Sequence, residues 1–199
     1  MNYYIPTIIR ETSEGMARLP IADIMLQRRE IWLTGEITSE LADAVIAQIL
    51  HLDAEEPGEE ITLYIDSPGG SVTAGLAIYD VMQVVSAEIR TVCIGTAASM
   101  AAVLFAAGDR REILMHGEVM IHDPLVSGGI SGSALAVQDK SDRLMAKRKV
   151  LCGILAQHTG KTIKQIYRVT AKDSWYGAEE AVAFGLADTV ISKLERSRA

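Results

Sequence analysis

No charged residue falls between Arg90 and Asp109, and that run, TVCIGTAASMAAVLFAAG, constrains the fold more than any other part of the chain. A stretch without charge must be withdrawn from water, either into a bilayer or into a protein core. Its composition selects the core, because it is mostly alanine with an internal Gly-Thr break, too weakly apolar for a span and suited to close packing. Thr91 to Ile94 predicts a buried strand, Gly95-Thr96-Ala97-Ala98 a turn of small residues, and Met100 to Ala107 a helix closed by Gly108. Ser99 then stands at the helix start. Its hydroxyl there lies beside N–H groups that no helical carbonyl satisfies, groups that can hold a capping side chain or an oxyanion. On this stretch alone an N-cap is the simpler explanation.

The same order of strand, glycine turn and helix recurs upstream. Ile61 to Ile65 reads as a strand ending in Asp66-Ser67-Pro68-Gly69-Gly70, and Val72, Leu76, Tyr79 and Met82 mark an amphipathic helix after it. Two such units in succession require parallel strands joined by crossovers, so an α/β core with a parallel sheet is expected. Glu30 to Leu33 adds a strand, and Ser39 is expected to cap a helix with Leu41, Val45, Ile49 and Leu52 on one face, before an acidic loop from Asp53 to Glu60. Arg111 to Met115 and Val119 to Ile121 predict two more strands around a His116-Gly117 turn. Val126 to Ser133 is rich in glycine and serine, and Ala134 to Gln157 reads as one long helix so charged that it is only partly buried, with Leu144, Leu151 and Leu155 as its packing residues. Thr162 to Val169 predicts a short helix, Asp173-Ser174-Trp175 a connection, Gly177 to Phe184 a helix, and Thr189 to Ile191 a last strand. Met1 to Arg28, interrupted by Pro6, Gly15 and Pro20, is the least regular part and reads as an arm. With 199 residues, 49% of them hydrophobic, and no linker, a single domain over 1–199 is expected.

Charge and cysteine usage exclude several classes. A net charge of -7 without a basic patch argues against a nucleic-acid surface. Cys93 in the apolar strand and Cys152 in a helical pattern read as buried thiols, in keeping with a reducing cytoplasmic compartment, and no secretory leader is evident at the N-terminus. The four histidines form no metal-binding motif, and neither a dinucleotide fingerprint nor a P-loop is present, so neither metal nor cofactor is expected.

A serine becomes a nucleophile only when a base takes its proton, the base is held by a third group, and donors await the oxyanion. His122 is the one histidine directly at the end of an apolar strand, where a rigid scaffold can aim it; His51, His116 and His158 have helix-face, turn and capping explanations. Ser67-Pro68-Gly69-Gly70 can bring backbone N–H groups close to a substrate carbonyl, or can simply be a tight turn. Asp66, Asp123, Asp173 and Asp188 are all candidates for the acid, and spacing does not choose among them.

The ordered segments SPGGSVTAGLAIYD, TVCIGTAASMAA, MIHDPL and KDSWYGAEEAVAFGLADTVI resemble the ClpP family, the proteolytic subunits of ATP-dependent Clp proteases, over nearly the whole chain. The resemblance implies Ser99 as nucleophile, His122 as base, Asp173 as orienting acid, and the N–H groups of Gly70 and Met100 as the oxyanion hole. It also implies a crotonase-like α/β fold with a projecting handle helix, within a handle region over 123–160. Residues 1–28 would form a gate to an axial pore. The implied assembly is two stacked seven-membered rings, a tetradecamer, fed with unfolded proteins by a ring ATPase that carries the ATP site. The expected activity is that of a serine endopeptidase in protein quality control.

Several positions depart from the family pattern. Asp66 stands where asparagine is usual, Asp123 where glutamine is usual, the loop at Val126-Ser127-Gly128-Gly129 is longer, and Ala171-Lys172 replaces an Asp-Arg pair that joins the two rings. The early helix around Ile21 to Met25 also differs. These changes suggest a divergent paralogue, acting beside a second, more typical subunit or as a weakly active one. A crotonase-type acyl-CoA enzyme would use similar glycine turns without needing Ser99, His122 and Asp173 together, and a scaffold subunit would let those three decay.

Overall fold

The computed structural model describes residues 6–12, 15–126, 128–129 and 131–194. In chain order they form β1 (Thr7–Thr12), β2 (Gly15–Pro20), α1 (Ile21–Gln27), β3 (Glu30–Thr34), α2 (Ser39–Glu55), β4 (Ile61–Ser67), α3 (Val72–Val84), β5 (Ile89–Ala98) and α4 (Met100–Ala106). There follow β6 (Arg110–Leu114), β7 (Glu118–Ile121), α5 (Ala134–Thr159), α6 (Ile163–Thr170), β8 (Ser174–Gly177), α7 (Ala178–Phe184) and β9 (Thr189–Ile191). A seven-stranded sheet runs β3-β4-β5-β6-β9, with β7 attached to β5 and β8 to β7. Its pairings are parallel except for β7 with β8. The expected α/β core with a parallel sheet is the observed fold.

β5 is the spine, and it is longer than expected. Gly95 to Ala98 is not a turn: Ile89–Ala98 is one strand whose first half pairs with β6 and whose last three residues pair with β7. Between Ile65 and Ser67 of β4 the register with β5 shifts, because Ile65 faces Cys93 whereas Ser67 faces Ala97. Asp66 fills the irregularity. Its Oδ1 accepts the Thr96 N–H at 2.9 Å, and a Cβ on Gly95 would lie 2.5 Å from that oxygen. The small residues therefore admit a carboxylate from the next strand, and the bend redirects the end of β5 towards a second partner strand.

α4 follows at once, and all seven of its residues are buried. Alanine and glycine allow that approach: the Thr91 hydroxyl on β5 donates to the Phe105 carbonyl at 2.8 Å. α3 packs beside it through Ile78, Tyr79 and Met82, and α2 packs in turn on α3 and β3, burying Val45, Ile49 and Leu52. The helix cap before Leu41 is Thr38, not Ser39, since Thr38 is extended and its hydroxyl accepts the Leu41 N–H, and α2 continues through Glu55 into the expected acidic loop.

Two other regions are more regular than expected. Among the described residues the start of the chain is regular: Thr7–Thr12 and Gly15–Pro20 form an antiparallel pair, followed by α1, so Gly15 at φ 120° and Pro20 at the α1 N-cap are turn and start signals. Met1 to Ile5, Ser13 and Glu14 lie outside the described residues. The expected connection at Ser174-Trp175 is strand β8, and α7 begins at Ala178. α5 spans 26 residues, about 39 Å at 1.5 Å per residue. Its N-terminal residues 134–143 are exposed, while Leu151, Cys152, Ile154 and Leu155 are buried and Leu144 is half-buried. No helix among the described residues is long and apolar enough to cross a membrane.

Candidate active site

Two described non-glycine residues adopt positive φ, Arg29 at 60° and Ser99 at 56°. Arg29 has an evident structural cause, because its guanidinium donates to the carbonyls of Leu52 and Glu59 at 2.9 Å each, around the end of α2. Ser99 joins β5 directly to α4, with ψ at −121°. Its N–H donates to the Met120 carbonyl on β7 at 2.8 Å, and its own carbonyl accepts from Ala102 N at 3.1 Å, so ladder and helix grip it from both sides. Backbone held in so sparsely populated a region costs about 1–3 kcal/mol and persists only where the surroundings over-determine it. The side chain makes no capping bond. The simple N-cap explanation fails; Oγ lies 2.7 Å from His122 Nε2 instead.

His122 follows β7 and Asp173 precedes β8. In the register that pairs Ile121 with Ser174, the next residues facing each other are His122 and Asp173. Their side chains meet, with Nδ1 3.3 Å from Asp173 Oδ1, the imidazole 14% and the carboxylate 65% exposed. A carboxylate only accepts, so this contact places the proton of a neutral imidazole on Nδ1 and leaves Nε2 to accept from the Ser99 hydroxyl. The arrangement can therefore draw a proton from Oγ and support the positive charge that results.

Gly69 and Gly70 lie against the other side of Ser99. Gly69 has φ 92°, and a Cβ there would come within 2.7 Å of Ser99 Cβ and 2.9 Å of Met100 N. Gly70 has φ 150° and bridges to Ile37, whose N–H donates to Gly69 O and whose carbonyl accepts from Ser71 N, each at 2.8 Å. These bonds leave the Gly70 and Met100 N–H groups with no acceptor among the described residues. Nothing in the sequence singled out Ile37. The Met100 side chain occupies the space where Gly75 of α3 lacks a Cβ, which fixes the start of α4.

The other acid candidates are engaged elsewhere. Asp66 holds the bend in β5. Asp123 turns away from the imidazole and binds Arg148 and Thr170. Asp188 pairs with Arg111; its burial opposes ionisation, yet the Arg111 hydrogen bonds hold its carboxyl below the usual range. His158 lies in the last turn of α5 before the left-handed Gly160, the capping position expected for it, and its Nε2 also meets the Tyr79 hydroxyl at 3.2 Å.

A groove of about 580 Å³ opens over Ser99 and His122, bounded by Gly70, Val72, Leu125, Leu144 and Lys147. Beneath it an apolar recess is formed by Val103, Ile121, Leu151 and Leu155. No group of His, Cys, Asp or Glu among the described residues is arranged to hold a metal ion.

An α/β domain with a serine on a strained strand-to-helix junction, an imidazole on its oxygen and a carboxylate behind has the parts for acyl transfer. The Clp protease family model matches residues 13–194, and the chain belongs to that family. It is thereby a peptidase, of a family that in general assembles into rings and works with ATPase partners.

Proposed function

We propose that the protein is a serine endopeptidase subunit of a compartmentalised ATP-dependent protease, acting through Ser99, His122 and Asp173. The observation that carries the proposal is the 2.7 Å contact between Ser99 Oγ and His122 Nε2 at a junction strained in the way nucleophile turns are. Oγ attacks the scissile carbonyl while Nε2 takes its proton, and the Asp173 carboxylate stabilises the imidazolium. The carbonyl oxygen, now negative, is received by the N–H groups of Gly70 and Met100. Nε2 then returns the proton to the leaving amine, and a water molecule, deprotonated by the same nitrogen, releases the acyl group from Oγ.

By the same reading, 1–199 is one peptidase domain with 1–28 as the pore gate and 123–160 as the handle. Subunits form two stacked seven-membered rings, and a ring ATPase delivers unfolded proteins into the cytoplasmic particle. ATP is hydrolysed by that partner, and this chain needs no cofactor. Ala171 and Lys172, exposed at the end of α6, favour a mixed assembly with a second paralogue, since they lack the acid for a ring-joining pair.

The test is labelling with a fluorophosphonate probe, together with hydrolysis of a small fluorogenic peptide, for wild type and Ser99→Ala. Wild type should label and Ser99→Ala should not. Peptidase activity should fall by several orders of magnitude, leaving about 10³–10⁴-fold over water from the remaining donors and binding. A variant that cleaves as fast as wild type refutes the assignment.

A further inference from the structure

One carboxylate beside the candidate triad is gripped by two other elements. Asp123 Oδ2 accepts from Arg148 Nε on α5 at 2.6 Å, and Oδ1 accepts the Thr170 hydroxyl at the end of α6 at 2.7 Å. The Asp123 N–H also donates to the Thr170 carbonyl at 2.7 Å. Arg148 is fixed in turn, because its Nη2 donates to Tyr167 O at 3.3 Å and its guanidinium lies 4.3 Å from the Tyr167 ring centroid. The Thr170 hydroxyl also lies 3.1 Å from Ile166 O, but it has one proton to give, and the charged, nearer carboxylate is the stronger acceptor.

Asp123 directly follows His122, and Thr170 precedes Asp173 by three residues. The clamp therefore joins the two chain segments whose side chains must meet. That meeting has little support of its own: the Asp173 carboxylate is mostly in solvent and stands 3.3 Å from Nδ1. On one side the segments are tied by the β7–β8 ladder, which stops at Ile121 and Ser174. Beyond the ladder, the Asp123–Thr170 bonds are the tie.

We propose that Arg148 is a positioning residue for catalysis: by orienting and neutralising Asp123 it locks residues 122–123 to Thr170, holds Asp173 against His122, and couples that geometry to α5. The proposal rests on the reading of Ser99, His122 and Asp173 as the triad. Its chemistry is a charge-assisted bond at a corner where three elements converge, and it contributes no group to the reacting atoms. A bond that served folding alone would lower the amount of competent protein. A positioning bond lowers turnover at each competent site.

The experiment compares wild type, Arg148→Gln, Arg148→Lys, and Asp123→Asn combined with Arg148→Gln, which leaves no unpaired charge should Arg148→Gln alone fold poorly. Arg143→Gln is the control, since Arg143 is exposed on the same helix and, among the described residues, pairs with Asp139 one turn away. Active sites are counted by fluorophosphonate titration, ring mass by native mass spectrometry, and kcat and KM with a fluorogenic peptide. Loss of geometry at a remote support can cost about 100-fold, so kcat per titrated site should fall about 10- to 100-fold in both Gln-containing variants, with KM within about twofold of wild type. Arg148→Lys, able to reach Asp123 but not to make the whole clamp, should recover most of the loss, and Arg143→Gln should match wild type. Unchanged kcat per site in the double variant overturns the proposal, as does a loss confined to the number of sites or to KM. Ser99→Ala, run alongside, separates the two failures: if it keeps full activity the triad reading falls and this inference with it, whereas if it is inactive while the Arg148 variants turn over normally, only this inference falls.

Discussion

Replacing Gly69 with alanine should disable the site by moving backbone rather than by removing a chemical group. At φ 92° an added Cβ would lie 2.6 Å from Ala98 O, 2.7 Å from Ser99 Cβ and 2.9 Å from Met100 N. Two of these three neighbours are main-chain atoms at the β5–α4 junction, so they can yield only by shifting the junction itself. A left-handed backbone costs a side chain about 1–2 kcal/mol, and overpacking adds about 1–3 kcal/mol, giving roughly 2–5 kcal/mol of destabilisation. Gly185 supplies a matched comparison: its φ is 96°, and its added Cβ would stand 2.6 Å from the Thr159 carbonyl, at the junction of α7 and the end of α5. Gly185→Ala should therefore lose similar stability while leaving the Ser99 turn in place. Urea denaturation of both variants, with peptide turnover per fluorophosphonate-titrated site, separates the effects. Stability should fall in both, and turnover should fall, on the order of 100-fold, in Gly69→Ala alone. Wild-type turnover in Gly69→Ala, or an equal loss in Gly185→Ala, would refute the reasoning.

Burial, and after it the charge of Arg111, holds the His158 pKa below its ordinary value against the opposing pull of Asp109. The unfolded chain thus takes up a proton that the folded one resists, so stability should decline as pH falls below about 6.5, and His158→Gln should flatten that slope in denaturation measured from pH 7 to 5. Burial pushes the Cys93 thiol up to about 12, against lesser hydrogen bonding with the backbone of Gly95, Glu118 and Ala97. Stability should accordingly fall as pH rises from about 8.5, where the unfolded thiol ionises, and Cys93→Ala should lessen the fall; rapid iodoacetamide labelling of Cys93 in the native protein would contradict its burial. Ala171→Asp with Lys172→Arg should strengthen a wild-type double ring that is weak when this subunit is alone, since an exposed pair contributing about 0–1 kcal/mol is repeated around the assembly. A wild type that is already a stable, fully active fourteen-subunit particle by native mass spectrometry, unchanged by the double substitution, would defeat that expectation.

What the sequence made legible were the elements whose signal is local. The face of Val45, Ile49 and Leu52 on α2, the long α5 with its charged first half, and the last strand at Thr189–Ile191 all follow from spacing and composition. What escaped was structure imposed from a distance. Gly95 to Ala98 is small because Asp66 approaches from β4, a cause that local reading takes for a turn. β8 lacks an apolar alternation strong enough to declare a strand, and its conformation comes from pairing with β7. The Asp123, Arg148 and Thr170 clamp draws on three separated segments, so only the oddity of an aspartate after His122 pointed towards it.

The choice among acids shows the same division from the side of chemistry. Each of four aspartates could ionise and orient an imidazole, and spacing gave no preference. An ionised carboxylate only accepts, however, and it takes the N–H, hydroxyl or guanidinium donors that the fold brings to it one by one. Asp66 takes the Thr96 N–H, Asp123 takes Arg148 and Thr170, and Asp188 takes Arg111. Asp173 alone of the four meets the imidazole, in the register set by β7 and β8. Ser99 follows the same logic, since serine serves equally well as a cap or as a nucleophile by residue type. The sign of φ separates the two, and it is set by the bond from Ser99 N to Met120 O on a strand about twenty residues away in sequence and by the glycine packed behind the turn.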